Sequence, residues 1–530
     1  MPWGPALIFV IGSGPAGVAC AKGLLDAGAE VTMLDSGQTI EPQRLQKILE
    51  VAQRAPAEWT GESVAFMKDG MSAGASGIPL KLAYGSDFPY RLLPGATPVR
   101  CEGSESRPSY AQGGLSTVWG SAVLPYLQRD LEDWPITQQD LEPGYRAVFR
   151  WMPLAARRDD LEADFPLYSD RYTPLPMSRQ AQGLLADLER RRDKLKAEGI
   201  SFGVARLAVK AQLNGTSGCV ACGLCMYGCP HRLIYSVDST LSDLLKHPHF
   251  HYRPGTTVRT VEENATGVAI QGIEAQGGEI RMQGDRVFVG AGVLGTAAVL
   301  LRSLGWYDSA VKLRDSQYFL LPLLRVKGTS DVATERLHTL AQLFIEVLDR
   351  GISPYTIHLQ TYTYNELFRE PVVDKLGPLK RFFPFETFVG RLLLFQGYLH
   401  SAHSPDMDLT LRKQNGTDFL HLRGMPKPET QKILRKVTKK LSGLMGTTGL
   451  VPLVPMFKAG RPGRGFHSGG TFPMSNTPTR GQSDIFGRPA GLSRIHAVDS
   501  TIFPSIPATT ITLSVMANAY RIGSMLNAYS

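Results

Sequence analysis

The chain has few cysteines, no dense run of one charge and no long apolar run, and each shortage excludes something. Six cysteines occur in 530 residues, and four of them fall between positions 219 and 229. A secreted disulfide framework does not crowd its cysteines in this way, so that class is set aside. No stretch reaches the ~18 uninterrupted apolar residues of a membrane-spanning helix, and no transmembrane segment is expected. Lysine and arginine total 57 against 48 acids, a net charge of +9. Without a clustered basic tract this argues against nucleic acid as a partner. Nothing like a signal peptide precedes the first apolar strand, and the expected location is cytoplasmic. There is no internal repeat and no low-complexity tract.

What is present begins in the first forty residues. Ala6-Leu7-Ile8-Phe9-Val10-Ile11 is an unbroken apolar run that reads as a strand buried on both faces. It enters Gly12-Ser13-Gly14-Pro15-Ala16-Gly17, then an Ala-rich helix over Val18 to Leu25, then a strand from Glu30 to Leu34 that ends on Asp35. In this arrangement Gly12 makes the tight turn, Gly14 lets backbone N–H groups reach a pyrophosphate, and Gly17 lets helix and strand pack closely. Asp35 stands where a carboxylate accepts bonds from the adenosine ribose. The unit reads as a dinucleotide site.

At this length more than one core is expected. A second glycine cluster, Gln112 to Gly120, offers bare backbone beside Trp119. Strands are expected over Phe250 to Glu262 and Val268 to Arg281. Asp285 to Val289 is an apolar strand that runs into Gly290-Ala291-Gly292-Val293-Leu294-Gly295, formally a second G-x-G-x-x-G. No strand ending on an acid follows it, so it reads as a turn returning a strand of the first domain to the same dinucleotide. With Cys-x-x-Cys it also carries a rival reading, an NAD(P)H-dependent flavoprotein disulfide reductase. From residue 310 the pattern changes to antiparallel strands: Tyr318 to Val326, Leu340 to Leu348, Tyr355 to Tyr364, Leu393 to Ser401 and Asp408 to Arg412. A helix over Pro428 to Met445 leads to a last glycine cluster, a short strand, a Pro-rich turn and an apolar helix from Thr512.

These pieces together resemble the glucose–methanol–choline oxidoreductases, flavoproteins that oxidise alcohols. The resemblance is carried by Gly12 to Gly17, Gly113-Gly114-Leu115-Ser116 with Trp119-Gly120, and Asp133-Trp134-Pro135-Ile136. It continues through Ala291 to Thr296, Phe466-His467-Ser468-Gly469-Gly470-Thr471 and Val498-Asp499 to Ser505, in that order. It implies an α/β fold in which a Rossmann-type FAD domain (1–155, 205–308, 462–530) is interleaved with an antiparallel-sheet substrate domain (156–204, 309–461). It also implies FAD. Gly12, Gly14 and Gly17 would hold the pyrophosphate, and Asp35 the ribose. Gly113, Ser116, Trp119 and Gly120 would lie beside the flavin and its phosphates. Val258 would meet the adenine side, Ala291 and Gly292 the nucleotide, and Asp499 the ribityl chain. The helix at Thr512 would aim its N-terminus at the flavin's pyrimidine edge.

Alcohol oxidation needs a base for the hydroxyl proton, and histidine suits that task. His467 occupies the family's His-x-x-Gly-Thr position and is the expected base. Where the family usually has a second His or Asn, this chain has Thr510, which can orient an oxygen but cannot act as a base near neutrality. The resemblance implies a polyol, sugar or sugar-like alcohol as substrate. The electron acceptor is O2, a dye-like small molecule or a partner protein. His400 and His403 are further candidates for lining the pocket, set against structural roles. Lys380 to Val389 joins basic residues to phenylalanines and reads as core or lid packing, with docking to a membrane or an electron-accepting partner as the alternative.

Cys219, Cys222, Cys225 and Cys229 form C-x2-C-x2-C-x3-C-P, the ferredoxin iron–sulfur spacing. In two-cluster ferredoxins the fourth cysteine of such a run serves the other cluster. A single run therefore calls for unusual geometry at Cys229, recruitment of Cys20 or Cys101, or a three-iron cluster. A structural thiol loop, a zinc site and a redox disulfide are the alternatives. A cluster would favour a dehydrogenase over an oxidase. It also admits a non-catalytic reading, an electron-transfer subunit in which His467 is structural.

Overall fold

The computed structural model describes residues 7–70, 80–211, 218–369, 373–374 and 384–529. The opening strand β1, Leu7–Ile11, lies at the middle of a five-stranded parallel sheet. Its neighbours are β2, Glu30–Leu34, and the strand Arg286–Val289. Phe250–Arg253 and Ile495–Ala497 form the edges. A central parallel strand is covered on both faces, which is why it reads as an unbroken apolar run. Helix α1, Pro15–Asp26, starts earlier than its alanine pattern implies, because Pro15 is pre-set for the first helical position and Gly14 is the N-cap. The stretch from Phe250 is two strands rather than one. Gly255 turns it at φ +72, and Thr256–Glu263 then joins Val268–Glu274 and Glu279–Gly284 in a separate three-stranded sheet.

A second layer is an antiparallel sheet in the order Leu450–Pro452, Tyr318–Arg325, Leu392–Tyr398, Ile357–Thr363, Leu343–Val347, Ile200–Val204. Its residues alternate in facing, as strand geometry requires. Phe319, Leu321, Leu359, Leu393 and Phe395 pack with Leu184 and Leu188 of helix Arg179–Glu189 and with Ile433, Val437 and Leu441 of helix Pro428–Thr448. Their neighbours Tyr318, Gln360, Tyr362, Gln396 and Tyr398 line a cavity.

A fourth sheet links the layers: Val99–Glu102, Thr417–Met425, Asp406–Gln414, Ala310–Asp315 and Ser468–Gly469. Its inward residues Leu313, Met407, Leu409, Leu411, Leu420 and Leu422 belong to the same core as the parallel sheet. Of this sheet the sequence pattern shows only Asp408 to Arg412. Its partners are harder to read because buried Asp315 and Asp418 stand on strands otherwise lined by apolar residues.

Helix α1 and the last helix, Ile511–Ser524, cross backbone against backbone. A methyl on Gly23 would meet the Tyr520 carbonyl oxygen at 2.5 Å, and one on Gly523 the Cys20 carbonyl oxygen at 2.4 Å. Helix Gln138–Val148 seats on the same element through Gly144, whose methyl would stand 2.2 Å from the Ala517 carbonyl oxygen. Both crossings leave no room for a side chain. Gly523→Ala is therefore expected to destabilise the protein by about 1–3 kcal/mol through overpacking. Thermal unfolding checks this, and an unchanged midpoint would contradict the close crossing.

Candidate active site

The glycine turn after β1 is built as a clamp. A methyl on Gly17 would stand 1.8 Å from the Gly12 carbonyl oxygen, and one on Gly12, at φ +95, would meet the Gly290 carbonyl oxygen at 2.6 Å. The two glycine motifs therefore abut, as two walls of one site rather than two dinucleotide units. Ser13 ties the turn together. Its N–H and hydroxyl donate to Asp35 at 3.1 and 2.6 Å, and its Oγ accepts from Gly113 N–H at 3.0 Å. A methyl on Gly114 would approach Gly14 Cα to 3.2 Å, so bare backbone faces bare backbone at the start of α1.

A cavity of about 630 Å3 runs from this turn to the antiparallel sheet. Gly12, Gly14, Asp35, Ser116, Trp119, Gly120, Val258, Ala291, Gly292, Asp499, Thr510, Thr512 and His467 all line it. Gly17 and Gly113 do not. Gly17 lies beneath the turn, and Gly113 is held behind it by Ser13, so both shape the wall without facing the space. Two of the carboxylates are already engaged by the chain. Asp35 accepts from Ser13 and from the Tyr252 hydroxyl at 2.8 Å, and Asp499 from Thr296 Oγ1 at 2.5 Å and Thr501 N–H at 2.9 Å. Trp119 is fixed by its indole N–H, which donates to the Tyr235 carbonyl oxygen at 2.7 Å.

At the far end His467 precedes the short strand Ser468–Gly469, which pairs with the end of Ala310–Asp315. Buried Asp315 pins this loop from both sides, accepting from Gly463 N–H at 2.7 Å and the Ser468 hydroxyl at 2.9 Å. The His467 carbonyl oxygen takes Ser316 N–H at 3.0 Å. Phe466, just before it, holds φ +55, a left-handed conformation that costs a non-glycine residue roughly 1–2 kcal/mol. The His467 ring stacks on Tyr398, centroids 4.6 Å apart, and its Nδ1 is buried without a hydrogen-bond partner. Burial, then the nearby His358, push its pKa down to about 3. Thr510 is the N-cap of the last helix, and its hydroxyl oxygen accepts from Leu124 N–H at 2.9 Å, which leaves its proton free to be donated.

Sequence reasoning passed over the polar wall beside His467. His358, Gln360 and Tyr362 alternate along one strand. His358 Nδ1 is 2.7 Å from Glu346 Oε1, Gln360 Nε2 is 3.2 Å from His358 Nε2, and the Tyr362 hydroxyl donates to Gln360 Oε1 at 3.0 Å. On the next strand Gln396 donates to the Tyr398 hydroxyl at 2.6 Å. The signal was the polar i, i+2, i+4 pattern of His358, Gln360 and Tyr362, but alternation alone does not say what a face meets.

In overall shape the chain matches solved structures. Pyridoxine 4-oxidase from Mesorbium loti superposes with a TM-score of 0.59 at 14% identity, covering 99% of each chain. A formate oxidase superposes at 0.62 with 15% identity, covering 99% of this chain and 98% of the other. A variant formate oxidase of Aspergillus oryzae, studied for FAD modification, superposes at 0.60 with 15% identity and 99% coverage of each. This is the glucose–methanol–choline fold. No family model matches the sequence, and no curated protein is significantly similar to it.

On this glucose–methanol–choline scaffold the iron–sulfur expectation is not supported, and His400 and His403 take the structural alternative. The cysteine run assembles no metal site: among the described residues no three His, Cys, Asp or Glu side chains converge to hold an ion. The thiols are drawn into two different apolar clusters. Cys219, Cys225 and Cys229 pack around Leu207, Leu233 and Phe344, whereas Cys222 packs with Val51, Met67 and Leu224. All six cysteines are unbridged. His400 and His403 do not reach the cavity. His400 stacks on Tyr355 at 3.8 Å, and His403 Nε2 is 2.9 Å from the Ser353 hydroxyl. The docking stretch lies outside the described residues from Lys380 to Phe383. Its remainder, helix Phe385–Val389, packs against Tyr364. No described helix is long and apolar enough to cross a membrane.

Burial raises the Cys219 thiol to about 11 and Cys222 to about 12. Only the thiolate reacts. Their alkylation by iodoacetamide is therefore expected to be slow at pH 7.5 and to rise about tenfold per pH unit towards pH 10. Labelling at pH 7.5 as fast as a free cysteine would contradict this.

Proposed function

We propose that the protein is an FAD-dependent oxidoreductase that oxidises an alcohol group of a small molecule to a carbonyl. One observation carries the reading. His467, Thr510 and the N-terminus of the last helix open into the same cavity whose other end is the Gly12–Gly14 turn. The residues fit FAD. Bare backbone at the N-terminus of α1 suits a pyrophosphate, and the N-terminus of the last helix suits the flavin edge that gains negative charge. The shared fold with oxidases of pyridoxine and formate supports the same reading and favours dioxygen as acceptor.

FAD, when bound, accepts the hydride and passes the electron pair to dioxygen. The chain supplies the rest. Thr510 donates its proton to the substrate oxygen and orients it. His467, neutral because it is buried, accepts the hydroxyl proton as the hydride leaves. Its low pKa makes it a weak base in isolation, but negative charge arriving across the cavity favours the imidazolium, so the two transfers assist one another. Gln360, Gln396, Tyr362 and Tyr398 present amide and hydroxyl groups to the substrate, which supports a sugar or polyol-like molecule.

Anaerobic titration with a panel of alcohols, followed by bleaching of the flavin, tests the reading. No bleaching by any alcohol would overturn it. His467→Ala is expected to slow flavin reduction by about 10²–10⁴-fold. Since burial lowers the His467 pKa to about 3, the base is unprotonated well below neutrality. The wild-type kcat/KM is expected to stay level from about pH 7 to pH 5. A loss of activity titrating at the ordinary histidine pKa, near 6.5, and absent from the alanine variant would contradict that assignment.

A further inference from the structure

The cavity contains a cation that proton and hydride transfer do not use. Four basic side chains line it: Lys81, Arg107, Arg302 and Arg464. Arg302 is ion-paired with Asp418 at 2.7 Å and Arg464 with Glu105 at 3.2 Å, and Arg107 is exposed at the rim. Lys81 is different. Its Nζ donates to the Trp119 carbonyl oxygen at 2.9 Å, and among the described residues no carboxylate pairs with it. The Tyr90 hydroxyl holds its backbone, donating to the Lys81 carbonyl oxygen at 3.1 Å, and the Tyr90 ring lies 6.4 Å from that of Phe466, the residue before His467.

Lys81 is half-buried, and the only titratable groups that favour its charge are the Cys225 and Cys229 thiols, with no carboxylate paired to it among the described residues. An ammonium so placed is costly, and an anion from outside the chain would offset that cost. Burial draws the Lys81 pKa down to about 8, which is the same cost seen as a titration. The carboxylates that line the cavity, Asp35 and Asp499, are engaged by the hydrogen bonds already described. The position indicates the substrate rather than the cofactor's phosphates. Trp119, which Lys81 holds, leads into Gly120, where an added methyl would stand 3.9 Å from the Tyr362 hydroxyl. Tyr362 belongs to the polar wall that continues through Gln360 and Gln396 to Tyr398 and His467. The phosphate-suited turn at Gly12 to Gly14 meets the start of the Trp119 loop at Gly114, whereas Lys81 bonds its far side at Trp119.

We propose that Lys81 receives an oxyanion of the substrate, so that the alcohol oxidised here also carries a carboxylate or phosphate group. This rests on the alcohol-oxidation reading and narrows its substrate class. A hydroxy acid or a phosphorylated polyol would place its charged end on Lys81 and its carbinol between His467 and Thr510.

The test compares matched pairs on the flavin-loaded protein: glycolate with ethylene glycol, 3-hydroxypropanoate with 1,3-propanediol, and glycerol 3-phosphate with glycerol. In at least one pair the charged member is expected to have a tenfold or greater advantage in kcat/KM, expressed in KM. Which pair shows it tells carboxylate from phosphate. Lys81→Met is expected to reduce that advantage at least tenfold, while Lys81→Arg, which keeps the charge, retains most of it. Binding is read separately from perturbation of the flavin absorbance in wild type and Lys81→Met. Charged ligands that bind through Lys81 without bleaching the flavin would overturn alcohol oxidation and sustain the oxyanion site. Bleaching by neutral alcohols with no preference for the charged members would overturn the oxyanion site alone. Loss of flavin from Lys81→Met would assign the lysine to the cofactor and also overturn it.

Discussion

The arrangement depends on one crossing, that of the first helix and the last. Gly23 and Gly523 let the two backbones touch, and no side chain larger than hydrogen fits there. The N-terminal ends of these helices, near Gly14 and Thr512, line one cavity although the residues are separated by most of the chain. A helix N-terminus carries partial positive charge. Bringing two of them to one space makes it suited to a ligand with negative charge at two separate places, which is the character of a flavin dinucleotide. Helix Gln138–Val148 locks the same element from another side. Its Tyr145 hydroxyl is 2.8 Å from Ser514 Oγ and accepts from Tyr126 N–H at 3.0 Å.

Around that frame the polar groups are divided by task. Near the glycine turn, side-chain oxygens are satisfied within the chain, so the surface offered to a ligand is backbone. At the other end the antiparallel sheet turns amides, hydroxyls and one imidazole inward. His467 is held by its loop and by the Tyr398 ring stacked on it, with no hydrogen bond to its Nδ1. Asp315 pins the flanking residues, Phe466 accepts a strained conformation, and the imidazole keeps an unpartnered nitrogen. A fixed loop, a stacked ring and an unpartnered nitrogen suit the proton transfer proposed for it. Behind the wall the buried Glu346–His358 pair sets the Gln360 amide. Nδ1 of His358 faces the carboxylate, so Nε2 faces the Gln360 nitrogen as acceptor, and the Gln360 oxygen is turned to Tyr362.

Lys81 completes the division. In the proposed reaction the groups that would act on a carbinol, His467 and Thr510, are neutral. The ammonium stands along the wall from them, next to Trp119. On that proposal the charge that would bind substrate is separate from the groups that would move a proton. The cysteine run, by contrast, is absorbed into packing, its thiols shared between two apolar clusters.

Local chemistry was legible in the sequence. The strand, turn and helix from Leu7 to Asp26 follow from apolar patterning and from glycines that admit no substitute. His467, Asp499 and Trp119 were found because short motifs fix them relative to their own turns. The helices and most antiparallel strands showed their period directly. Tertiary structure alone decided which faces meet. It placed Ala310–Asp315 and Thr417–Met425 in the core of the parallel sheet, turned Gln360 and Tyr362 towards the cavity, and carried His400 and His403 away from it. It shared neighbouring cysteines between two apolar clusters and, among the described residues, left Lys81 half-buried without a carboxylate partner. The physical reason is range. Backbone preference and side-chain period act over a few residues and are written in each segment, whereas burial, charge pairing and convergence depend on partners hundreds of positions away.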